Sequence, residues 1–366
     1  MESGNSTIRP IAPPRGCRLE DRFENLYGSW WPSIERLIYD AISEACPADS
    51  LLKEMAIYHI KTGGKRLRAV LPLLVAQAME SDPRKLIAFG AACETLHNAS
   101  LVHDDIQDGD TVRRGEPTVW HRFGTAQAIN VGDALIACAF LLVQRLEASP
   151  NLRERLTRRM LFEMLLATDG QVRDLQQKAS RRSSVADYLK MVESKTARLF
   201  ALPIVGAASL CGADGEIEQA LGEAAGHIGV LFQLRDDIID TLGSDRGIGL
   251  GQDILDGNRS ILIVHCLETA NPREAAWFLR ILDKPRGETT PEDVASAIAL
   301  IENTGSMDFA MTEIINRRDA ALMVPAIDRI PALFQMLDEA CQLFLRGVDP
   351  YLAHAKVRAL ERSCLL

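Results

Sequence analysis

From about Glu20 onward, apolar residues recur every three or four positions along nearly the whole chain, the spacing of helices that bury one face. Phe89, Cys93, Leu96, Ser100 and His103 form one such stripe and predict a long helix over Phe89–Asp108. Ala224, Ile228, Leu231 and Arg235 predict a second over Leu221–Asp240. Breakers fall between the runs, at Thr62-Gly63-Gly64, Gly109 to Pro117, Cys211-Gly212, Gly243 to Gly251 and Pro285 to Pro291. No segment alternates as a half-buried strand does, and no low-complexity linker divides the chain. The expectation is an all-α protein with a single helical domain over residues 21–366. Pro10, Pro13, Pro14 and Gly16 mark residues 1–20 as a flexible tail.

Composition supports this picture. Of 366 residues 47% are apolar, enough for a sizeable core, and only 5% are aromatic, a balance that favours helix over sheet. A net charge of −9 argues against general nucleic-acid binding but leaves room for a local basic pocket. Cys17, Cys46, Cys93, Cys138, Cys211, Cys266, Cys341 and Cys364 form no Cys-x-x-Cys pair and read as reduced thiols of a cytoplasmic protein. No apolar run is expected to reach the roughly 18–20 residues of a membrane span. The N-terminus lacks a signal-type apolar core. The ending Cys364-Leu365-Leu366 is one residue short of a prenylation box, so no lipid anchor is expected.

Two acidic segments carry the chemistry. Asp104-Asp105-Ile106-Gln107-Asp108 ends the first predicted helix and Asp236-Asp237-Ile238-Ile239-Asp240 ends the second. In each, the first and last carboxylates are four residues apart, hence stacked about 5.4 Å apart along one helix face. Bare, such a pair destabilises its helix by roughly 0.2–0.5 kcal/mol. Mg²⁺ removes the repulsion, taking carboxylate oxygens while keeping sites for phosphate and water. A solvated acidic helix end explains one such segment well but a matched pair poorly. The pair reads as two carboxylate walls facing one cavity, which a polyanion enters with divalent ions.

Cations complete a diphosphate site. Arg113-Arg114-Gly115 follow the first acidic segment. Gly63-Gly64-Lys65-Arg66-Leu67-Arg68 form a turn opening a helix, whose first N–H groups and cations suit an anion. Taken alone, that turn is more plainly a solvated helix start. His97 and His103 share the first acidic helix; a lone helical His is usually structural, but His97 lies two turns before Asp104, within reach of a phosphate.

These pieces together resemble the trans-isoprenyl (polyprenyl) diphosphate synthases, geranylgeranyl diphosphate synthases in particular. The resemblance runs from about Tyr58 to Ser260. It rests on Gly63 to Arg68, Leu96 to Asp108, Arg113 to Gly115, Gly132 to Leu135, Asp169 to Asp174, Lys195-Thr196 and Leu231 to Asp240. It implies the isoprenoid synthase fold, a bundle of long helices around a central cavity, usually as a homodimer. It also implies condensation of isopentenyl diphosphate with an allylic prenyl diphosphate. By the same resemblance Asp104, Asp105, Asp108, Asp236, Asp237 and Asp240 bind three Mg²⁺ ions. Arg113, Lys195, Thr196 and Gln233 contact the allylic diphosphate or the reacting region. Gly64, Lys65, Arg68, His97 and Arg114 hold isopentenyl diphosphate.

The chain also departs from the family. Ile248 and Asn258 stand where lysines are usual; Arg246 and Arg259 lie nearby, though arginine does not replace lysine without adjustment. Ala69 replaces a common proline, a minor change. In the family, bulky residues just before the first acidic motif stop chain growth. Here those positions are the small Ala99 and Ser100, with Leu96 and the region near Phe140 as deeper floors. The expected product is about C20 or longer, geranylgeranyl diphosphate first. A class I terpene cyclase would not need Lys65, Arg68, His97 and Arg114. A catalytically silent regulatory subunit would tend to lose one acidic motif.

Overall fold

Each apolar run becomes a helix, and the breakers become the joints. The computed structural model describes residues 19–180, 184–243, 250–285 and 287–348. The helices are α1 Leu19–Ala45, α2 Leu51–Lys61, α3 Leu67–Ala78, α4 Ile87–Asp108, α5 Val119–Phe123, α6 Thr125–Gln144, α7 Pro150–Ala179 and α8 Val185–Val192. They continue as α9 Arg198–Leu210, α10 Gly215–Leu242, α11 Gln252–Leu255, α12 Ile261–Thr269, α13 Pro272–Leu282, α14 Pro291–Asn303, α15 Ser306–Leu322 and α16 Pro331–Leu345. Among the described residues the only strands are β1 Val112–Arg113 and β2 Glu116–Pro117, a hairpin too short to alternate visibly in sequence. The expected all-α class holds. Leu19 and Glu20, expected in the tail, already belong to α1, and the rest of the tail lies outside the described residues.

Local chemistry sets the ends. Pro291, read as a breaker, is the first residue of α14, where its missing N–H costs nothing. Thr290 and Asp293 close a reciprocal capping box around it. Asn271 and Glu274 do the same for α13.

The chain packs as two compact units. The first comprises the described parts of Met1–Leu161, Leu202–Gly222 and Ala326–Met336; the second, those of Phe162–Ala201, Glu223–Pro325 and Leu337–Leu366. In the first, α4 packs against α1, α3 and α6. Packing on several sides buries Phe89 to Leu96 without a break, so the stripe expected of a one-faced helix is replaced by an all-round core helix. It opens up at its first two residues, Ile87 and Ala88, and again from His97 on, at Ser100, His103 and Asp104. In the second, Ile261 to Val264 of α12 are fully buried and α12 packs on α8 and α13 to α15.

One expectation needs correction. By length and composition α6 is apolar enough to cross a membrane. Asp133 is its one charged residue, and between Val131 and Val143 every other residue is apolar or glycine. Val131, Gly132, Leu135, Cys138, Ala139, Leu142 and Val143 are nevertheless buried inside the first unit, which a core helix of this composition also does.

Candidate active site

In the first unit, the acidic end of α4 and the hairpin after it fold onto each other. Asp104 and Asp108 are partly exposed on one helix face, whereas Asp105, rotated about 100° around the helix, is buried with a side chain only 1% exposed. Burial pushes its carboxyl up to about 6 although Arg113 opposes the shift, its Nε donating to Asp105 Oδ1 at 2.6 Å. Arg113 is thus held by the acidic segment itself.

Arg114 and Gly115 turn the hairpin with positive φ of 54° and 83°, a type I′ geometry. Trp120 Nε1 and Thr118 Oγ1 each donate to Asp110 O at 2.7 Å, and Tyr58 of α2 donates to Pro117 O at 2.7 Å, which anchors the hairpin. From this turn the Arg114 guanidinium donates to Gly63 O and covers Gly64. A Cβ on Gly64 would lie 2.5 Å from Arg114 Cζ, and its φ of +121° also demands glycine. Around the same place, burial holds His97 well below its ordinary range, and Arg68, Arg114 and Arg113 add to the shift. The structure therefore gathers Gly64, Arg68, His97, Arg113 and Arg114, with Lys65 exposed on the same turn.

Nothing in the order of residues announces what supports this cluster. Arg66 takes a left-handed conformation at φ 52° and turns inward. Its guanidinium donates to Glu94 Oε1 at 3.1 Å and to Ile60 O, and stacks 4.5 Å from the Trp31 ring. Asn98 Nδ2 reaches the same Glu94 oxygen at 3.0 Å. His59, also buried, is pushed down to about 3, mainly by burial. Three cations in four positions, Lys65, Arg66 and Arg68, look alike in sequence; only the backbone twist separates the buried tether from its neighbours.

The second unit carries the other half of the predicted set. Asp236 and Asp240 are partly exposed on α10, four residues apart. Asp236 Oδ1 accepts from Arg235 at 2.5 Å. Burial, with Asp253 and Asp236 nearby, raises Asp240 to about 7. Asp237, the residue between, is buried at 6% exposure and accepts from Tyr188, Gln233 and the Ile261 N–H. Lys195 and Thr196 lie in a π-turn, Glu193–Ala197, a feature frequent at functional sites. Lys195 Nζ donates to Asp174 Oδ2 at 2.5 Å, and Thr196 Oγ1 to Gln233 Oε1 at 3.0 Å.

The departures also find their places. Asn258 Nδ2 donates to Asp253 Oδ1 at 3.1 Å. Arg259, suggested above as a stand-in cation, is 4% exposed and directed at Asp283, 3.6 Å away, so its charge is committed there. Ile248 and Arg246 lie outside the described residues. Of the floor residues, Leu96 and Ala99 are packed away, whereas Ser100 keeps partial exposure and donates to His97 O at 2.8 Å.

The donor set suits a hard cation. Carboxylate oxygens alone make up both acidic faces, the chemistry Mg²⁺ or Ca²⁺ selects. Among the described residues no three His, Cys, Asp or Glu side chains already form a metal cluster, and Mg²⁺ ordinarily draws part of its shell from water and substrate phosphate.

Residues 49–301 match the family model for polyprenyl synthetase. A geranylgeranyl pyrophosphate synthase of Geoglobus acetivorans is 33% identical over 271 residues, 72% of this chain and 82% of that protein. A geranylfarnesyl diphosphate synthase of Aeropyrum pernix is 33% identical over 289 residues, 76% of this chain and 89% of that protein. The crystal structure of geranylgeranyl pyrophosphate synthetase from Pyrococcus horikoshii superimposes with a TM-score of 0.80 at 29% identity, covering 89% of this chain and 98% of that one. A Caulobacter crescentus polyprenyl synthase, crystallised with calcium and isoprenyl diphosphate, superimposes with a TM-score of 0.74 at 29% identity, covering 90% and 99%.

Proposed function

From the premise that the chain belongs to the polyprenyl synthetase family and is a trans-prenyltransferase of the isoprenoid synthase fold, we propose that it is a Mg²⁺-dependent synthase. It joins isopentenyl diphosphate to an allylic prenyl diphosphate and releases a product of about C20 or longer, geranylgeranyl diphosphate first. The observation that carries this reading is the gathering of Gly64, Arg68, His97 and Arg114 beside Arg113 and the first acidic face. A cyclase that ionises one diphosphate needs no such second anion site. Neither that alternative nor the silent subunit is favoured by the relatives, which are named as synthases.

Asp104 and Asp108, with Asp236 and Asp240, would hold the Mg²⁺ ions, three in the family pattern; Asp105 and Asp237 shape the two faces from beneath. When bound, the metal supplies positive charge to the departing diphosphate. Lys195, Thr196 and Arg113 orient that diphosphate and stabilise the charge it gains as the allylic C–O bond breaks. Gly64, Lys65, Arg68, His97 and Arg114 hold isopentenyl diphosphate so that its double bond attacks the allylic cation. The released diphosphate takes the proton lost from the new chain. Apolar walls keep water from the cation.

One helical domain spanning residues 21–366, a cytoplasmic setting and a homodimer complete the proposal. The described cysteines Cys46, Cys93, Cys138, Cys211, Cys266 and Cys341 are free thiols, as a reducing compartment keeps them. Ile129 and Leu141 on α6, and Phe162, Leu165 and Val172 on α7, are exposed apolar residues of the kind a subunit interface covers. The test is diphosphate release with Mg²⁺ present. The synthase reading requires release only when both substrates are supplied. Release from the allylic substrate alone would point to a cyclase, and no release to a silent subunit.

A further inference from the structure

The proposed chemistry gives no task to Tyr188, the largest fully buried side chain among the described residues. It stands on α8, seven residues before Lys195. Its hydroxyl donates to Asp237 Oδ2, and the same oxygen accepts the Ile261 backbone N–H of α12 at 2.8 Å. The other oxygen accepts Gln233 Nε2 at 2.9 Å, and Gln233 Oε1 accepts Thr196 Oγ1 at 3.0 Å. One buried carboxylate therefore links α8, α10, α12 and the π-turn, and the chain of bonds ends at Thr196, which is partly exposed.

The π-turn is gripped from two sides. A Cβ on Gly170 of α7 would lie 2.4 Å from Lys195 N, and one on Gly229 of α10 would lie 2.7 Å from Ala197 Cα. Backbone comes so close that only glycine fits at either point. The extra residue in the turn is thus fixed by packing, and the rotation of Thr196 is fixed by hydrogen bonds that begin at Tyr188. A tyrosine that merely satisfied a buried carboxylate would need no continuation through Gln233 to a partly exposed hydroxyl.

We propose that Tyr188 is a positioning residue for the allylic diphosphate: acting through Asp237 and Gln233, it fixes Thr196, and with it the adjoining Lys195, on a π-turn that Gly170 and Gly229 admit. This rests on the prenyl-synthase reading of Lys195 and Thr196. No bond is made or broken at Tyr188. Its effect falls on one substrate and spares the other, which separates positioning from general support of the fold.

The experiment compares steady-state kinetics of the full-length wild type with Tyr188→Phe, which removes only the hydroxyl, at saturating Mg²⁺. The allylic KM should rise about tenfold, the scale of one lost hydrogen bond to a carboxylate, while the KM for isopentenyl diphosphate stays within about twofold. In a Thr196→Val background the same change should add almost nothing, because the end of the relay is already gone. An unaltered allylic KM, an equal rise in both KM values, or full additivity with Thr196→Val overturns the inference and leaves the synthase reading intact. If Tyr188→Phe does not fold, Gln233→Met cuts the same relay one link later; an unchanged allylic KM there removes the only path by which Tyr188 acts. A wild type that elongates no primer overturns the synthase reading and this inference with it.

Discussion

Removing Arg66 should destabilise the first unit more than removing any exposed cation beside it. Arg66 and Glu94 form an ion pair whose side chains are 2% and 3% exposed, with NH1 3.1 Å from Oε1. Breaking a buried pair by deleting one partner costs about 3–5 kcal/mol, because the other charge stays behind in a low-dielectric site. Arg66→Ala also loses the contact over Trp31, worth about 0.5–2 kcal/mol, and leaves Ile60 O without this donor. Asn98 still donates to Glu94 at 3.0 Å, which limits the loss. The left-handed backbone at φ 52° does not enter the difference, since alanine and arginine both carry a Cβ there. About 3–5 kcal/mol is therefore expected, a large share of the roughly 5–15 kcal/mol that holds a typical domain together. The assay is urea unfolding followed by far-ultraviolet circular dichroism at one protein concentration. Arg66→Met with Glu94→Leu should recover most of the loss, because an apolar pair of similar volume replaces a buried ion pair at little cost. A single-variant loss under about 1 kcal/mol, or a double variant as unstable as the sum of the singles, would refute the reasoning.

Other consequences can be read from the same packing. His59 falls to about 3 in the fold against 6.5 for an ordinary histidine. The unfolded chain therefore binds the extra proton between those values, so this contribution is present above about pH 6.5 and is lost as pH falls toward 3. His59→Gln should flatten the acid side of the stability–pH curve by up to about 1.4 kcal/mol per pH unit, and an unchanged slope in denaturation midpoints would contradict it. Ser100→Phe should shorten the product on mass analysis, because Ser100 is partly exposed and a ring there need not displace the core. Ala99→Phe, at a site with 0% exposure, should instead cost about 1–3 kcal/mol of stability through overpacking. Lysines restored together at Ile248 and Asn258 should lower the allylic KM although the Asn258–Asp253 bond is lost, and an unaltered KM would remove allylic binding as the reason those positions matter.

The two acidic helices were legible to within a few residues. Phe89–Asp108 is realised as Ile87–Asp108, and Leu221–Asp240 as Gly215–Leu242, whose earlier start is set by Asp214 accepting the Ile217 N–H at 2.9 Å. Apolar spacing reports helices because burying one face leaves a period in sequence. It reported the environment of α4 poorly, because a helix packed on several sides loses that period. The site followed the same division. Acidic and basic side chains at characteristic spacing stand out in a sequence, so Asp104, Arg114 and Lys195 could be picked out as candidates. Arg66, Glu94 and Tyr188 are buried, and their pairings join residues far apart in sequence. The differing burial of Asp105 and Asp104 was available from helix geometry alone, since neighbouring residues point about 100° apart.

In the proposed reaction an allylic prenyl group passes to isopentenyl diphosphate with release of diphosphate, and the product grows to about C20 or beyond. The most direct measurement is the mass of the dephosphorylated products formed from farnesyl diphosphate and isotopically labelled isopentenyl diphosphate with Mg²⁺. Linear alcohols carrying one or more labelled five-carbon units are expected, beginning with geranylgeraniol, and none after chelation of the metal. Unlabelled cyclic hydrocarbons, or farnesol alone, would contradict it.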